Sequence, residues 1–265
     1  MISTKFENII LNFFKDIPFF AEKTSDNLEP DIFCPKQCYI ECTVIRSGET
    51  YDKERFATND RNCYMHLICD TIISEANDFV GTRLSNGCKN KCEQLQKHIK
   101  ASKINIDLPR ILCMTVDLKT FHSMFKNYDL WEEAIARLLY QIDLNSIAVA
   151  NGMILSVNNK RPIIKKSGAK ITTGLFLNSL YSNISGILFV KPYVLRPLGD
   201  MENIGYDILY SDDFNLIAED FCLYINPHAE NKIKPMLAKS FFDLGVSICQ
   251  FKGNKITCGN NRRRF

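Results

Sequence analysis

The sequence predicts a single α/β domain, with helices and strands interleaved in its front half and mostly strands in its back half. Three observations carry this. The first 120 residues alternate apolar runs of helical spacing with short β-type runs. After Asn145 short apolar runs recur between Gly, Asn and Ser. No internal repeat or low-complexity linker divides the chain. A length of 265 residues is near the upper end for one domain, and 46% hydrophobic with 24% charged residues suffices for a normal core. The division is one domain over 1–265, with a core over 1–120 and an elaboration over 121–265 packed on it.

Residues 5–15 place Phe6, Ile9, Ile10, Phe13 and Phe14 at helical spacing, with Pro18 beyond the end. Glu7, Asp16 and the lack of a small-residue cleavage site make this an amphipathic helix and not a signal sequence. Residues 31–33 suit a short strand, Pro35-Lys36-Gln37 a turn, and 38–45, rich in β-formers, a strand ended by Ser47-Gly48. The polar 49–61 stretch reads as irregular. Residues 64–79 form a helix with Leu67, Ile68, Thr71 and Ile72 on one side, and 83–102 a second helix, broken or loose near Asn86-Gly87. Pro109 introduces 110–116, a short apolar run typical of a buried strand, and 131–140 is again an amphipathic helix. Further strands are expected at 147–157, 163–164, 175–177, 184–190 and 221–225, then a helix at 235–242 and a strand at 246–251.

The formal net charge of +3 neither demands nor excludes a nucleic-acid partner. Arg262-Arg263-Arg264 reads as a solvated tail. No apolar run approaches the roughly 20 residues of a membrane span, so no membrane partner is expected. Eleven cysteines, an odd number, include Cys113, Cys222 and Cys249 inside apolar segments, which suggests core thiols in a reducing cytosol and no disulfide framework. Cys34, Cys38 and Cys42 are spaced by four, as are Cys88 and Cys92; neither set has the paired CxxC spacing of a zinc site. His66, His98, His122 and His228 lack metal-ligand spacing and read as structural or surface residues. The expected location is cytoplasmic, the alternative being an exported effector acting in another cell's cytosol. A homo-oligomer is left open.

The chemistry concentrates in Glu29-Pro30-Asp31 and, nine residues on, Tyr39-Ile40-Glu41-Cys42-Thr43. These put one carboxylate at the start of a short strand and another in the middle of the next. Alternate strand residues share a face, so Glu41 points with Tyr39 and Thr43, while Ile40, Cys42 and Val44 face the other way. A glutamate in such an apolar strand is costly if buried alone; a metal ion or a lysine resolves the cost. Two carboxylates and the backbone carbonyl of Cys42 suit a hard cation such as Mg²⁺ or Mn²⁺, and such a site is a standard way to cleave a phosphodiester. On the following helix Lys91 and Gln94, three apart, share a face. The lysine can orient a water or stabilise charge building at phosphorus, and the glutamine can position water or substrate. Lys89, Lys97 and Lys100 can contact backbone phosphates or form a solvated helix face.

In order and spacing, these residues resemble the PD-(D/E)XK, or restriction-endonuclease-like, superfamily. More narrowly they resemble a family of mostly uncharacterised bacterial proteins with Pro-Asp, then Ile-Glu-Ala/Cys, then a helix of the form Arg-Leu, six residues, Lys, two residues, Gln. Here those are Pro30-Asp31, Ile40-Glu41-Cys42 and Arg83-Leu84 to Lys91 and Gln94. Lys165-Lys166-Ser167-Gly168, Thr172-Thr173, Phe176-Leu177, Ile184 to Phe189 and Asn226-Pro227-His228-Ala229 look like the family's later motifs. The resemblance implies an αβββαβ-type core with a β-rich C-terminal elaboration and divalent-metal-dependent hydrolysis of DNA, less often RNA. It implies Asp31 and Glu41 as metal ligands with Cys42, and Lys91 and Gln94 as catalytic residues. Thr43, Arg83 and Lys97 would contact substrate. Thr43 stands where the superfamily's strand lysine is expected, and Lys91 matches members that supply it from the helix. Glu7 corresponds to an acidic residue some members carry on the first helix. The alternative is a catalytically inactive nuclease fold used to bind nucleic acid or a partner protein.

Overall fold

The computed structural model describes residues 2–16, 18–24, 29–46, 70–101, 104–120, 128–141, 147–148, 153–156, 163–164, 168–171, 173–177, 179–198, 202–211, 216–217, 220–252 and 255–259. The segments read above as 49–61 and 64–69, the Arg262-Arg263-Arg264 tail, His66, His122, Lys165-Lys166-Ser167 and Thr172 lie outside them.

Through Val116 the chain runs α1 (Ile2–Phe14), β1 (Glu22–Lys23), β2 (Ile32–Cys34), β3 (Cys38–Ile45), α2 (Asp70–Lys100) and β4 (Arg110–Val116). That is helix, three strands, helix, strand. β1, β2 and β3 form an antiparallel meander, and β4 lies parallel to β3 with Glu41 beside Leu112. The long α2 supplies the crossover that a parallel pair requires. Lys36, at φ 62°, turns the chain between β2 and β3.

After α3 (Tyr128–Tyr140) come β5 (Ile147–Ala148), β6 (Met153–Ser156), β7 (Ile163–Ile164), β8 (Lys170–Ile171), β9 (Gly186–Val190), β10 (Tyr193–Leu198), β11 (Glu202–Asp207) and β12 (Phe221–Ile225). α4 (Pro235–Leu244), β13 (Ser247–Lys252) and β14 (Lys255–Gly259) follow. Among the described residues the main sheet has ten strands, ordered β1-β2-β3-β4-β9-β12-β13-β14-β6-β5. β9 pairs directly with β4, so the back half continues the sheet of the front half as well as covering it.

Each face of this sheet has its own core. Phe6, Ile10 and Phe14, one turn apart on α1, pack with Leu237 and Phe241 of α4 over Ile40, Cys42, Ile111 and Cys113. On the opposite face Val80, Leu84, Cys88, Cys92 and Leu95 of α2 form a stripe of helical spacing. They pack with Trp131, Ile135 and Leu138 of α3 over Ile45, Leu112, Met114 and Val116. Burying a sheet on both faces explains why β4 is buried along its whole length and apolar except at Arg110 and Thr115.

Three expectations are corrected. α2 is a single helix, continuous through Asn86-Gly87. Gly87 is there because a Cβ at that position would run into Cδ1 of Ile45 on β3, so the glycine lets helix and sheet approach and does not loosen the helix. Residues 175–177 are a turn and not a strand: the backbone N–H groups of Leu175 and Phe176 donate to the carbonyls of Leu138 and Leu139, closing the end of α3. Cys249, expected as a free thiol, is disulfide-bonded; the β13–β14 register sets it opposite Cys258. Cys34, Cys38, Cys42, Cys88, Cys92 and Cys113 are buried thiols outside any disulfide, and the buried Sγ of Cys222 lies 3.4 Å from that of Cys249. No helix among the described residues is long and apolar enough to cross a membrane.

Candidate functional site

The site is built by where β2 begins. β2 pairs with β3 only from Ile32, opposite Ile40. One step further in that register sets Asp31 opposite Glu41, and two steps set Pro30 opposite Cys42. Proline has no N–H, so it cannot donate to the carbonyl of Cys42. The Pro30 carbonyl is engaged elsewhere, by the hydroxyl of Thr24 at 2.6 Å. The backbone N–H of Cys42 donates instead to Oδ2 of Asp31 at 2.7 Å. The ladder hydrogen bond is thus replaced by a carboxylate, and Asp31 is pinned beside β3.

Glu41 points to the α2 face and is fully buried. Gly87 brings α2 close to β3, and Lys91 follows one turn later on the same side of the helix. Its Nζ lies 2.5 Å from Oε1 of Glu41 and donates to Oε1 of Gln94 at 3.1 Å. Asp31, Glu41, Lys91 and Gln94 therefore meet at one place. Oε2 of Glu41 is buried and, among the described residues, has no hydrogen-bond partner.

Burial pushes Glu41 up to about 7; the neighbouring Asp31 charge adds to the rise and Lys91 opposes it. Asp31 is also raised, by burial first, against the pull of the Cys42 N–H and Lys91, while the charge of Glu7 adds to the rise. Glu7 is itself paired with Lys23 at 3.5 Å. Two carboxylates sharing one ammonium leave an excess of negative charge in a desolvated place, and each ionises reluctantly.

The remaining candidates are placed as follows. Thr43 is half-buried beside Met114, shares the face of Glu41, and brings no charge. The Cys42 side chain faces the other core, where burial and the Cys113 thiol push its pKa well up, so Cys42 can serve the site only through its backbone. The guanidinium of Arg83 stands over the Phe79 ring, 5.2 Å from its centroid. It lies two turns, about 12 Å along the axis, before Lys91. Lys97 is exposed, about 9 Å beyond Lys91. The geometry does not bring these two cations to the carboxylates. Lys89 and Lys100 are exposed as well, and His228 lies at the surface.

Among the described residues no group of three or more His, Cys, Asp or Glu side chains is arranged to hold a metal ion. Two carboxylates are nevertheless enough for Mg²⁺, which keeps several waters and takes substrate oxygens. The open Oε2 of Glu41 and the carbonyl of Cys42, which Pro30 cannot reach with a donor, fit such an ion. Sequence reasoning missed why Pro30 matters, because that depends on register. No family model, curated protein or solved structure matches this chain.

Proposed function

We propose that the chain is a divalent-metal-dependent phosphodiesterase acting on DNA, or secondarily RNA, with a core of the restriction-endonuclease-like kind. The observation that carries this reading is the meeting of Asp31, Glu41 and Lys91 at the open start of β2, with Gln94 against the lysine. The order of elements through Val116 agrees with the resemblance of the motifs.

In this reading Asp31 and Glu41, with the Cys42 carbonyl, hold Mg²⁺ or Mn²⁺. The ion would acidify a water and polarise the scissile phosphate. The Cys42 N–H fixes the orientation of Asp31 before any ligand arrives. Lys91 supplies the ammonium that no residue on β3 provides, and stabilises negative charge developing on phosphate oxygens. Gln94 accepts from Lys91 and so holds it over the carboxylates. Burial on the α2 side strengthens these electrostatic interactions.

One observation favours a second reading, an inactive nuclease fold that binds nucleic acid or protein. Lys91 already neutralises Glu41, as a purely structural ion pair would, and Thr43 carries no ammonium. Incubation of the protein with single- and double-stranded DNA and RNA in Mg²⁺, Mn²⁺ or EDTA, beside Glu41→Ala, separates the two. Metal-dependent cleavage lost in Glu41→Ala supports the enzyme. Binding without cleavage supports the module, and cleavage that persists in Glu41→Ala comes from a contaminant.

A further inference from the structure

We infer that Phe33, stacked on Tyr39 one step along the sheet from the acid pair, is a platform for one unstacked nucleobase, so that the strand taken by this site is single-stranded or locally opened. This deepens the hydrolase reading by naming its substrate class, and it rests on that reading only for where the scissile phosphate lies.

The placement follows from the pleat. Ile32 and Cys34 face the α1 core, so Phe33 between them faces the α2 side. Tyr39 is its partner across the β2–β3 ladder and shares that side with Glu41. The two ring centroids are 4.9 Å apart and the planes differ by 27°, a stacked pair. Tyr39 is buried, and its hydroxyl accepts the Asn105 N–H at 3.0 Å, which fixes the inner ring. Phe33, the outer ring, is half-buried. Neither ring belongs to either of the two cores, and among the described residues no other ring or cation lies against Phe33. An aromatic pair beside the acid pair is therefore held in place without being used to pack the helices.

From Glu41 to Tyr39, as from Asp31 to Phe33, is two residues of extended chain, about 7 Å, close to the length of one nucleotide. A base next to a phosphate held at the acid pair therefore reaches Phe33. The helix borders the same place. Gly87 lies over Ile45 and Lys91 over Glu41, so α2 runs opposite to β3 and its next turn passes towards Tyr39. Gln94 lies on that turn, half-buried. Its Oε1 accepts from Lys91, while its amide N–H groups have no acceptor among the described residues and can donate to a base edge. Glu22, opposite Phe33 on β1, is exposed. Its charge disfavours a second phosphate at this point but not the uncharged face of a base. In a duplex both faces of a base are covered by its neighbours, so a base resting on Phe33 has left the stack.

The test is fluorescence-anisotropy titration, in EDTA so that nothing is cleaved, of labelled single-stranded DNA and RNA, duplex DNA, and an abasic DNA strand of the same length. The abasic strand keeps the phosphates and lacks the bases. Wild-type protein should bind the single strands about 5-fold or more tighter than the abasic strand, the low end of what one stacked base contributes, and tighter than the duplex. Phe33→Leu should lose most of that preference while its affinity for the abasic strand stays unchanged. Phe33→Trp should keep the preference, and single strands but not the abasic strand should quench the added indole; Trp131 is fully buried and contributes no change. If Phe33→Leu fails to fold, the wild-type comparison and the Phe33→Trp quenching decide. Equal wild-type affinity for single and abasic strands, an undiminished preference in Phe33→Leu, tighter binding of duplex, or no binding of any probe would overturn the platform. A Phe33-dependent preference without cleavage in Mg²⁺ or Mn²⁺ would uphold the platform while removing the hydrolase reading. Metal-dependent cleavage without that preference would do the reverse.

Discussion

The ammonium of Lys91 lies 2.5 Å from Oε1 of Glu41, whose other oxygen is buried with no hydrogen-bond partner among the described residues. These residues are 50 positions apart. Removing one partner of a buried pair leaves an uncompensated charge, which costs about 3–5 kcal/mol; Lys91 is one-fifth exposed, so about 2–4 kcal/mol is the expected loss for Lys91→Met at pH 8. The loss should shrink at pH 5, where Glu41 takes up a proton and no longer needs a partner. Urea denaturation at the two pH values checks both parts.

Without added metal, stability should fall as pH rises through neutrality. Glu41 binds its proton more tightly folded, at about 7, than at its ordinary value of 4.5. Its contribution is therefore full below pH 4.5, declines between, and is gone once pH passes 7. The folded state binds more protons than the unfolded one in that window, so the slope is negative; the total is at most about 3 kcal/mol. Asp31, also raised, acts in the same direction. Denaturation curves in EDTA from pH 4.5 to 8 should show the decline, and Glu41→Gln should flatten it. A profile that rises through this window would contradict the electrostatic account.

Much of the site was legible in the sequence, for local reasons. The β-formers of 38–45 and the Pro-Asp before them define strand and carboxylate, and a spacing of three puts Lys91 and Gln94 on one side of a helix. What remained hidden is non-local. Gly87 reads as a breaker until Ile45 is seen beneath it. Leu175 and Phe176 read as strand because burial alone does not distinguish a sheet from a turn capping α3. The hairpin β10–β11, with Pro197 inside β10 and Gly205 inside β11, lacks a clear strand pattern. Arg46, Asp117 and Tyr210 are brought together by the parallel pairing of β3 with β4 and by the return of the chain after β11, which no spacing announces.

A side chain at Gly87 should force the buried Ile45 to shift. An added methyl meets the end of a buried isoleucine, so Gly87→Ala should destabilise by about 1–3 kcal/mol despite alanine's better helix propensity. Shortening the obstacle with Ile45→Val should recover part of that loss in the double variant. Thermal denaturation of the four proteins in a double-mutant cycle measures the coupling. Simple additivity would show that α2 does not rest on β3 at this point.

Asp31→Asn separates structure from chemistry. The amide oxygen of asparagine can still accept the Cys42 N–H, so stability should change by less than about 1 kcal/mol. Metal-dependent hydrolysis should drop by at least about 100-fold, the scale seen when one electrostatic element of an active site is removed. A variant that unfolds would show that the charge of Asp31 serves the fold.

The most direct test of the central claim, that Asp31 and Glu41 together hold a divalent ion, is calorimetric titration of the full chain with Mn²⁺ at pH 8. The account predicts one ion per chain, lost in both Asp31→Asn and Glu41→Gln while both variants stay folded by circular dichroism. Unchanged Mn²⁺ binding in either variant, or none in the wild-type protein, would contradict it and leave the Lys91–Glu41 pair as part of the core alone.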